Sequence, residues 1–202
     1  RSLIRKGTLE IGAPVKEAVL SEQLGISRAP IREALQVLVQ EGLITSEPQK
    51  GKHVRQMTGK EIYDSYVVAG ILEGAGVAES LPLWTEANME TFRSVVRQME
   101  GKISYATKLD ELAEIDELFH ATLFMACDNT RLVEMARTSC ATISKYLYYQ
   151  HWITMFTPRE YADRHHAVAE AVYSRDVKHV ETALRDHYKE TGLRMAQFGK
   201  EA

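Results

Sequence analysis

The feature that most constrains the fold is a pair of short amphipathic helices, predicted on either side of Gly25. The first covers residues 16–24, and Gly25 can adopt the positive φ that ends a helix. Ser27 is a favoured N-cap for the second helix, residues 28–40, whose first turn tolerates Pro30. Because two helices joined by a short glycine-containing turn form a helix-turn-helix, the sequence predicts that motif near its N-terminus.

The exposed face of the second helix carries two arginines that suit the edges of base pairs. Arg28 and Arg32 are four residues apart, so they point the same way, opposite to the apolar residues of the helix. Arginine can donate two hydrogen bonds to guanine in the major groove. Ser27 and the first backbone N–H groups can hold a phosphate. We therefore predict that the turn from Ser27 through Pro30 to Arg32 binds duplex DNA.

A β-hairpin is predicted directly after this helix. Residues 43–45 and 53–55 have the character of short strands, and the segment between them contains turn residues. Lys50, Lys52 and His53 are placed near the tip of this hairpin. Basic side chains at such a tip bind backbone phosphates or reach the minor groove. The three residues are predicted DNA contacts of a wing.

Charge divides the chain into two parts. Residues 1–58 hold nine Lys and Arg against six Asp and Glu, within a chain of formal net charge −3. A basic N-terminal third on an acidic remainder favours two domains, of which only the first suits a polyanion. We place the boundary between a DNA-binding domain, residues 1–57, and a second domain, residues 58–202.

The composition is that of a globular chain, with 45% hydrophobic and 26% charged residues. The longest wholly apolar run, residues 66–72, is far shorter than the roughly 20 residues of a membrane span. Cys127 and Cys140 show no CxxC spacing and indicate reduced thiols. We expect a cytoplasmic protein with no membrane partner.

Residues 20–35, LSEQLGISRAPIREAL, resemble the signature of GntR-family transcription regulators, and the resemblance continues into the wing at Lys50 and Gly51. It implies that Arg28, Arg32 and Gly51 contact operator DNA. A family arginine in the preceding helix falls near Ala18 here. The adjacent Glu17 is similar to the branch of the family that carries an acidic residue in that helix.

The remainder of the chain is predicted to be entirely helical. Helix starts are indicated by Thr58 with Glu61, by Thr85, and by the segment 157–160, TPRE. The predicted helices cover residues 58–81, 85–105, 109–127, 130–151, 157–174 and 177–198. Six helices with short links imply an antiparallel bundle. The predicted fold is mainly α: a winged helix-turn-helix followed by an all-α bundle.

Four polar side chains fall on the predicted apolar faces: Asp116, His120, His165 and His187. An unpaired buried carboxylate is costly, and a divalent metal would satisfy all four groups. If the last two helices turn near Arg175, His165 lies about ten residues before the turn and His187 about twelve after it. At 1.5 Å per residue these positions are nearly level. The four residues are therefore a predicted site for Zn, Ni or Mn.

Segments 116–120 (DELFH), 165–172 (HHAVAEAV) and 184–187 (LRDH) resemble the FCD effector-binding domain of many GntR regulators. In metal-containing members the positions of Asp116, His120, His165 and His187 hold the ion. The resemblance implies a homodimer that binds a pseudo-palindromic operator and a small organic acid effector. The family often has an arginine four residues before the position of Glu73, where this chain has alanine.

The effector-binding residues are not assigned, although four residues of the fourth predicted helix are expected to help line a pocket: Arg131, Tyr146, Tyr148 and Tyr149. An enzyme is not expected, because no evident general base shares the apolar faces with the four candidate ligands. Three alternatives stay open: a metal-dependent hydrolase carrying a DNA-binding domain, a metal-responsive regulator without an organic effector, and a purely structural metal.

Overall fold

The computed structural model describes residues 1–201, and the fold is mainly α, as predicted. The helices are α1 (Ser2–Arg5), α2 (Glu17–Leu24), α3 (Arg28–Gln40), α4 (Gly59–Ser80), α5 (Glu86–Ile103), α6 (Ala113–Leu123), α7 (Thr130–Ser139), α8 (Tyr149–Met155), α9 (Pro158–Ser174) and α10 (Val177–Ala196). The strands are β1 (Ile44–Glu47) and β2 (Gly51–Val54).

The helix-turn-helix consists of α2 and α3. Gly25 ends α2 in the left-handed conformation, with φ of 67°, a backbone geometry that glycine adopts without steric cost. Ser27 is the N-cap of α3 in extended conformation, and its side chain makes no capping hydrogen bond. Ile31 and Leu35 are buried on the inner side of α3, so the opposite side of the helix faces outward.

The strands of the wing are longer than predicted, and the turn between them is shorter. β1 and β2 are antiparallel, and the ladder runs from Ile44 opposite Val54 to Glu47 opposite Gly51. The turn is therefore only three residues long, and the placement of Lys52 and His53 near the tip was wrong: both lie within β2. Gln49 adopts a positive φ of 66°, and that left-handed residue closes the turn tightly enough for the ladder to extend.

The bundle is organised around the pair formed by α4 and α10. Thr58 and Glu61 form the predicted capping box at the start of α4. α4 and α10 approach closely at Gly70, where a Cβ would lie 2.9 Å from the Cβ of Tyr188. By length and composition the stretch Gly59–Leu83 is apolar enough to cross a membrane, yet half of its most apolar window is buried inside the bundle. It is the core helix of this fold.

α9 and α10 are adjacent and joined by a tight turn. Arg175 ends α9 with φ of 55°, and the side chain of Asp176 accepts hydrogen bonds from the first N–H groups of α10. This turn lies where the sequence predicted it. The predicted N-terminus of α9 is also present, since Thr157 and Glu160 form a capping box.

Two predicted helices were wrong in extent. The segment 109–127 begins with a 3-10 turn (Leu109–Leu112), and α6 ends at Leu123. The single helix predicted over 130–151 is broken into α7, a π-helical turn (Ile143–Leu147) and α8. Such π turns concentrate at functional sites.

The break in the second of these helices has a tertiary cause. The hydroxyl of Tyr148 lies 3.1 Å from the backbone nitrogen of Met57 and 3.3 Å from its carbonyl oxygen. Tyr148 is buried in an apolar core that also contains Ile31 and Leu43 of the helix-turn-helix and wing. Contacts with a distant segment thus fix the conformation of the chain around Tyr148. Such contacts cannot be predicted from local hydrophobic periodicity. The first 57 residues pack directly on one end of the bundle.

Candidate metal centre and DNA-binding surface

Four predicted ligands come together in the interior of the bundle. Asp116 and His120 are one turn apart on α6, His165 lies on α9 and His187 on α10. The ring centroids of His165 and His187 are 4.7 Å apart, and both lie within 5.6 Å of the ring centroid of His120. The carboxylate oxygen Oδ1 of Asp116 is 3.1 Å from Nε2 of His165. The three imidazoles therefore face one another, and the Asp116 carboxylate lies beside His165 and His120.

The spacing of these donors suits a single ion. One ligand atom from each of His120, His165 and His187 lies within 4.8 Å of the others. In a tetrahedral zinc site with nitrogen ligands at about 2.0–2.1 Å, two ligand atoms are about 3.4 Å apart. The three imidazoles would therefore move about an ångström closer together when they bind one ion. Imidazole nitrogen and carboxylate oxygen are also the donors that Ni and Mn accept.

Two of the imidazoles are held in fixed orientations from behind. Nδ1 of His165 donates to the backbone carbonyl of Tyr161, 2.8 Å away, because a carbonyl can only accept. Nδ1 of His120 lies 2.7 Å from Oε1 of Glu73. Each contact leaves Nε2 directed at the common point, and such outer hydrogen bonds are the usual way in which proteins orient metal-binding histidines.

The third imidazole, that of His187, has a ring nitrogen without a partner in the part of the chain that the structure describes. Nδ1 of His187 is buried, and within residues 1–201 it has no hydrogen-bond partner. Buried polar atoms are nearly always satisfied, so His187 keeps a ring nitrogen available for a partner next to His165 and His120. The donor set and this nitrogen both fit a divalent cation.

The three histidines of the cluster differ in the direction in which their surroundings shift the pKa. Burial disfavours the charged form of His120, but the carboxylates of Glu73 and Asp116 outweigh burial and raise its pKa to about 9. Burial lowers the pKa of His165, and Asp116 offsets only part of that effect. The pKa of His187 falls well below its usual value through burial and the nearby Arg164. Two of the three imidazoles are therefore neutral near pH 7, the state that binds metal.

The cluster borders a cavity of about 220 Å³. Its lining combines aromatic and polar side chains from several elements, among them Tyr66, Ser144, Trp152, Tyr188 and Thr191. The expectation that Arg131, Tyr146, Tyr148 and Tyr149 line this cavity was wrong, since none of the four borders it. Tyr146 and Tyr149 instead line a cleft beside Arg5, and Tyr148 is bound to Met57.

Glu73 contacts the histidine cluster, and the sequence analysis did not predict it as a site residue. It is 3% exposed, and its second oxygen accepts a hydrogen bond of 2.8 Å from the hydroxyl of Tyr188. The signal was present: Glu73 interrupts an apolar stripe of α4 that includes Tyr66 and Val77. Like Asp116, Glu73 is a carboxylate on an apolar helix face, and on that ground it could have been named as a candidate site residue.

Replacing Glu73 tests its support of His120. We expect Glu73→Gln to lower the pKa of His120 from about 9, because the variant removes the nearest carboxylate charge. Metal affinity is expected to fall about 10–100-fold, the usual effect of losing such an outer contact. NMR titration of the metal-free protein and calorimetry measure the two effects. Glu79→Gln, at an exposed position of the same helix, is the matched control. A pKa that stays near 9 would assign the effect to Asp116 instead.

The predicted DNA-binding residues form an outward surface on the first domain. Arg28 and Pro30 are exposed at the start of α3, and the side chain of Arg32 is 64% exposed on the same helix. Lys50, in the turn of the wing, is exposed and paired with Glu47. The structure places the four residues on the surface and leaves Gly51, with φ of 81°, at the start of β2.

Two other predicted contacts are less accessible. Lys52 is half-buried and directed at Glu17 of α2, which also binds Arg32. His53 is half-buried in β2, where it pairs with Thr45 and forms an isolated bridge with Pro14. Lys52 and His53 thus lie on the flank of the wing beside the helix-turn-helix, not at the wing tip.

A winged helix-turn-helix on a helical bundle that contains a cavity defines a class of protein, the DNA-binding transcriptional regulators. The family comparisons agree in both halves. Residues 1–54 match the model of the bacterial regulatory proteins of the gntR family, and residues 64–190 match the FCD domain. The chain belongs to the GntR family, in the group whose C-terminal domain is an FCD domain.

Named relatives support the same class. The HTH-type transcriptional repressor RspR of Escherichia coli K12 is 26% identical over 94% of this chain and 82% of its own length. The gluconate operon transcriptional repressor of Bacillus subtilis is 30% identical over 64% of this chain and 53% of its own. Among solved structures, E. coli McbR/YncC superposes with a TM-score of 0.70 at 20% identity, covering 96% of this chain and 92% of that one. At that identity the likeness concerns the fold alone.

Proposed function

We propose that this protein is a ligand-responsive transcriptional regulator, a cytoplasmic homodimer that binds a pseudo-palindromic operator. Asp116, His120, His165 and His187 hold a divalent metal, and the cavity beside them takes a small organic acid. One observation carries this proposal: three imidazoles face one another beside a cavity of the bundle, and the carboxylate of Asp116 lies next to two of them. Bound there, a cation supplies a positive charge that attracts a hard carboxylate oxygen.

The size and lining of the cavity favour a small organic acid. About 220 Å³ accommodates a compact molecule, and hydroxyl and cationic side chains face it, including Ser144, Lys145 and Arg164. One relative is named for the gluconate operon, and gluconate belongs to the same chemical class. The position where the family often has an arginine is Ala69 here, so the cation and the cavity residues carry the recognition of the acid.

The wall of the cavity offers a route to the DNA-binding domain. Ser144 and Lys145, in the π turn, border the cavity, and four residues later Tyr148 and Tyr149 contact the first domain. Tyr148 binds the backbone of Met57, and the hydroxyl of Tyr149 accepts a hydrogen bond of 2.6 Å from Arg5. A ligand changes DNA affinity only if it binds two arrangements of this segment differently.

The proposal is tested on the full chain in two stages. Elemental analysis and native mass spectrometry of gently purified protein identify the ion and any acid that accompanies it. Affinity for a duplex selected from a random library is then measured for metal-free protein, for metal-loaded protein, and with added acetate, malate or gluconate. We expect the ion to be retained and at least one acid to change the affinity several-fold.

The other outcomes distinguish the alternatives. A change in DNA affinity on metal titration, with no effect of any acid, identifies the ion as the signal. Zinc-dependent turnover of carboxylate esters or amides supports a hydrolase. Unfolding on metal removal, with no change in ligand response before unfolding, supports a structural ion. Protein that binds no ion at all contradicts the proposal.

A further inference from the structure

A single carboxylate connects the three elements of the DNA-binding domain. Glu17 is the first residue of α2, and its Oε2 accepts hydrogen bonds from Nε and Nη2 of Arg32 at 3.2 and 3.1 Å. Its Oε1 accepts a hydrogen bond from Nζ of Lys52 at 3.2 Å. One side chain therefore bridges the helix before the turn, the helix after it, and the second strand of the wing.

The exposure of these three side chains is unequal. Glu17 and Lys52 are each 23% exposed, so the carboxylate lies in the crevice between α2 and the wing. Arg32 is 64% exposed, so its guanidinium extends outward from that crevice. The two cations hold the pKa of Glu17 below its usual value, which keeps the carboxylate ionised. The cluster as a whole carries one excess positive charge.

We propose that Glu17 is a positioning residue that sets the specificity of DNA recognition. This inference rests on the proposed function, in which Arg32 binds a base edge. Glu17 occupies the Nε side of the guanidinium and leaves the Nη1 hydrogens free to donate. Because the side chain of Arg32 is already fixed, less conformational entropy is lost when it contacts a base. Through Lys52 the same carboxylate also fixes the wing relative to α3.

The negative charge of Glu17 has a second effect on selectivity. When Arg32 is not in register with a base, a phosphate brought near this crevice is repelled by the carboxylate. Binding to unrelated duplexes is dominated by phosphate contacts, so this repulsion acts mainly against non-specific binding. Fixing Arg32 and repelling misplaced phosphates both increase the ratio of specific to non-specific affinity.

A simple masking role makes the opposite prediction. If Glu17 only occupied Arg32 and Lys52, neutralising it would free two cations and increase affinity for every duplex by a similar factor. The ratio of affinities would then stay the same or rise. The two interpretations therefore differ in the sign of one measurable quantity.

The test compares full-length wild type with Glu17→Gln on two duplexes. One duplex is selected from a random library by the wild-type chain, and the other is a scrambled sequence of the same composition. We expect the ratio of the two affinities to fall about three- to tenfold in Glu17→Gln, with unchanged or stronger binding to the scrambled duplex. The matched control is Glu22→Gln, which removes an exposed charge from the same helix. Glu22 forms no salt bridge within residues 1–201, and its variant should change both affinities alike.

A double-mutant cycle separates this inference from the proposed function. In an Arg32→Gln background, Glu17→Gln should change the ratio by a smaller factor than it does in the wild type, because the side chain it positions is gone and only the repulsion of phosphates remains. If Arg32→Gln lowers the ratio but Glu17→Gln does not, the positioning role is overturned and the base contact stands. If Arg32→Gln leaves the ratio unchanged, the base contact itself is overturned. Thermal unfolding of each variant confirms that the affinities belong to folded protein.

Discussion

The substitution His187→Ala is expected to weaken metal binding strongly while leaving the helical bundle folded. The variant removes one of the three clustered imidazoles, the one that α10 contributes. Loss of an outer contact alone weakens metal sites about 10–100-fold, so we expect at least about a hundredfold loss for a direct ligand. An ion present at 1,000 times its Kd stabilises the folded state by about 4 kcal/mol. Added metal should therefore raise the Tm of the wild type and raise that of the variant by at most about a third as much.

His179→Ala is the matched control for this experiment. His179 lies on the same helix and is exposed, so its loss should alter neither metal affinity nor the metal-induced shift in Tm. Equal losses in both variants would indicate non-specific binding to surface histidines. Wild-type affinity in His187→Ala would show that the four donors do not act as one site.

The substitution Arg32→Ala is expected to remove discrimination between operator and random DNA. A good bidentate contact between arginine and guanine is worth about 1–3 kcal/mol, or roughly five- to 150-fold in affinity. The side chain is mostly exposed, and Glu17 keeps its ion pair with Lys52 when Arg32 is lost, so the variant should remain folded. Binding of the selected and scrambled duplexes, measured at one salt concentration, gives the result.

Arg131→Ala controls for the loss of a positive charge. Arg131 is exposed on α7, in the bundle, and we expect its variant to bind both duplexes as the wild type does. A loss in Arg32→Ala that is equal on the selected and scrambled duplexes would identify Arg32 as a phosphate contact. The base contact proposed for it would then be wrong.

The parts of the fold that could be predicted are those governed by local chemistry. Gly25 and Ser27 mark the turn of the helix-turn-helix because one permits a positive φ and the other suits an N-cap. The level of His165 and His187 follows from helical rise once the turn at Arg175 is placed. Each inference uses only neighbouring residues or a constant of helix geometry.

The parts that could not be predicted depend on contacts between distant segments. The short wing turn requires a positive φ at Gln49, a residue type that gives little indication of it. The break between α7 and α8 depends on the bonds from Tyr148 to Met57, 91 residues away. The ion pair between Glu17 and Lys52 likewise joins α2 to β2, and the distance between these two elements cannot be predicted from the sequence.

The first domain joins the bundle without a long linker, because α4 begins directly after the wing and Met57 is held by Tyr148. A regulator with a flexible tether between its domains can adapt to half-sites at several separations. If two copies of this chain pair as we propose, each arrangement of the Tyr148 segment would present the two DNA-reading helices at its own distance and angle. One extra base pair between half-sites rotates them by about 35° relative to each other, so an operator spaced for one arrangement would fit the other poorly.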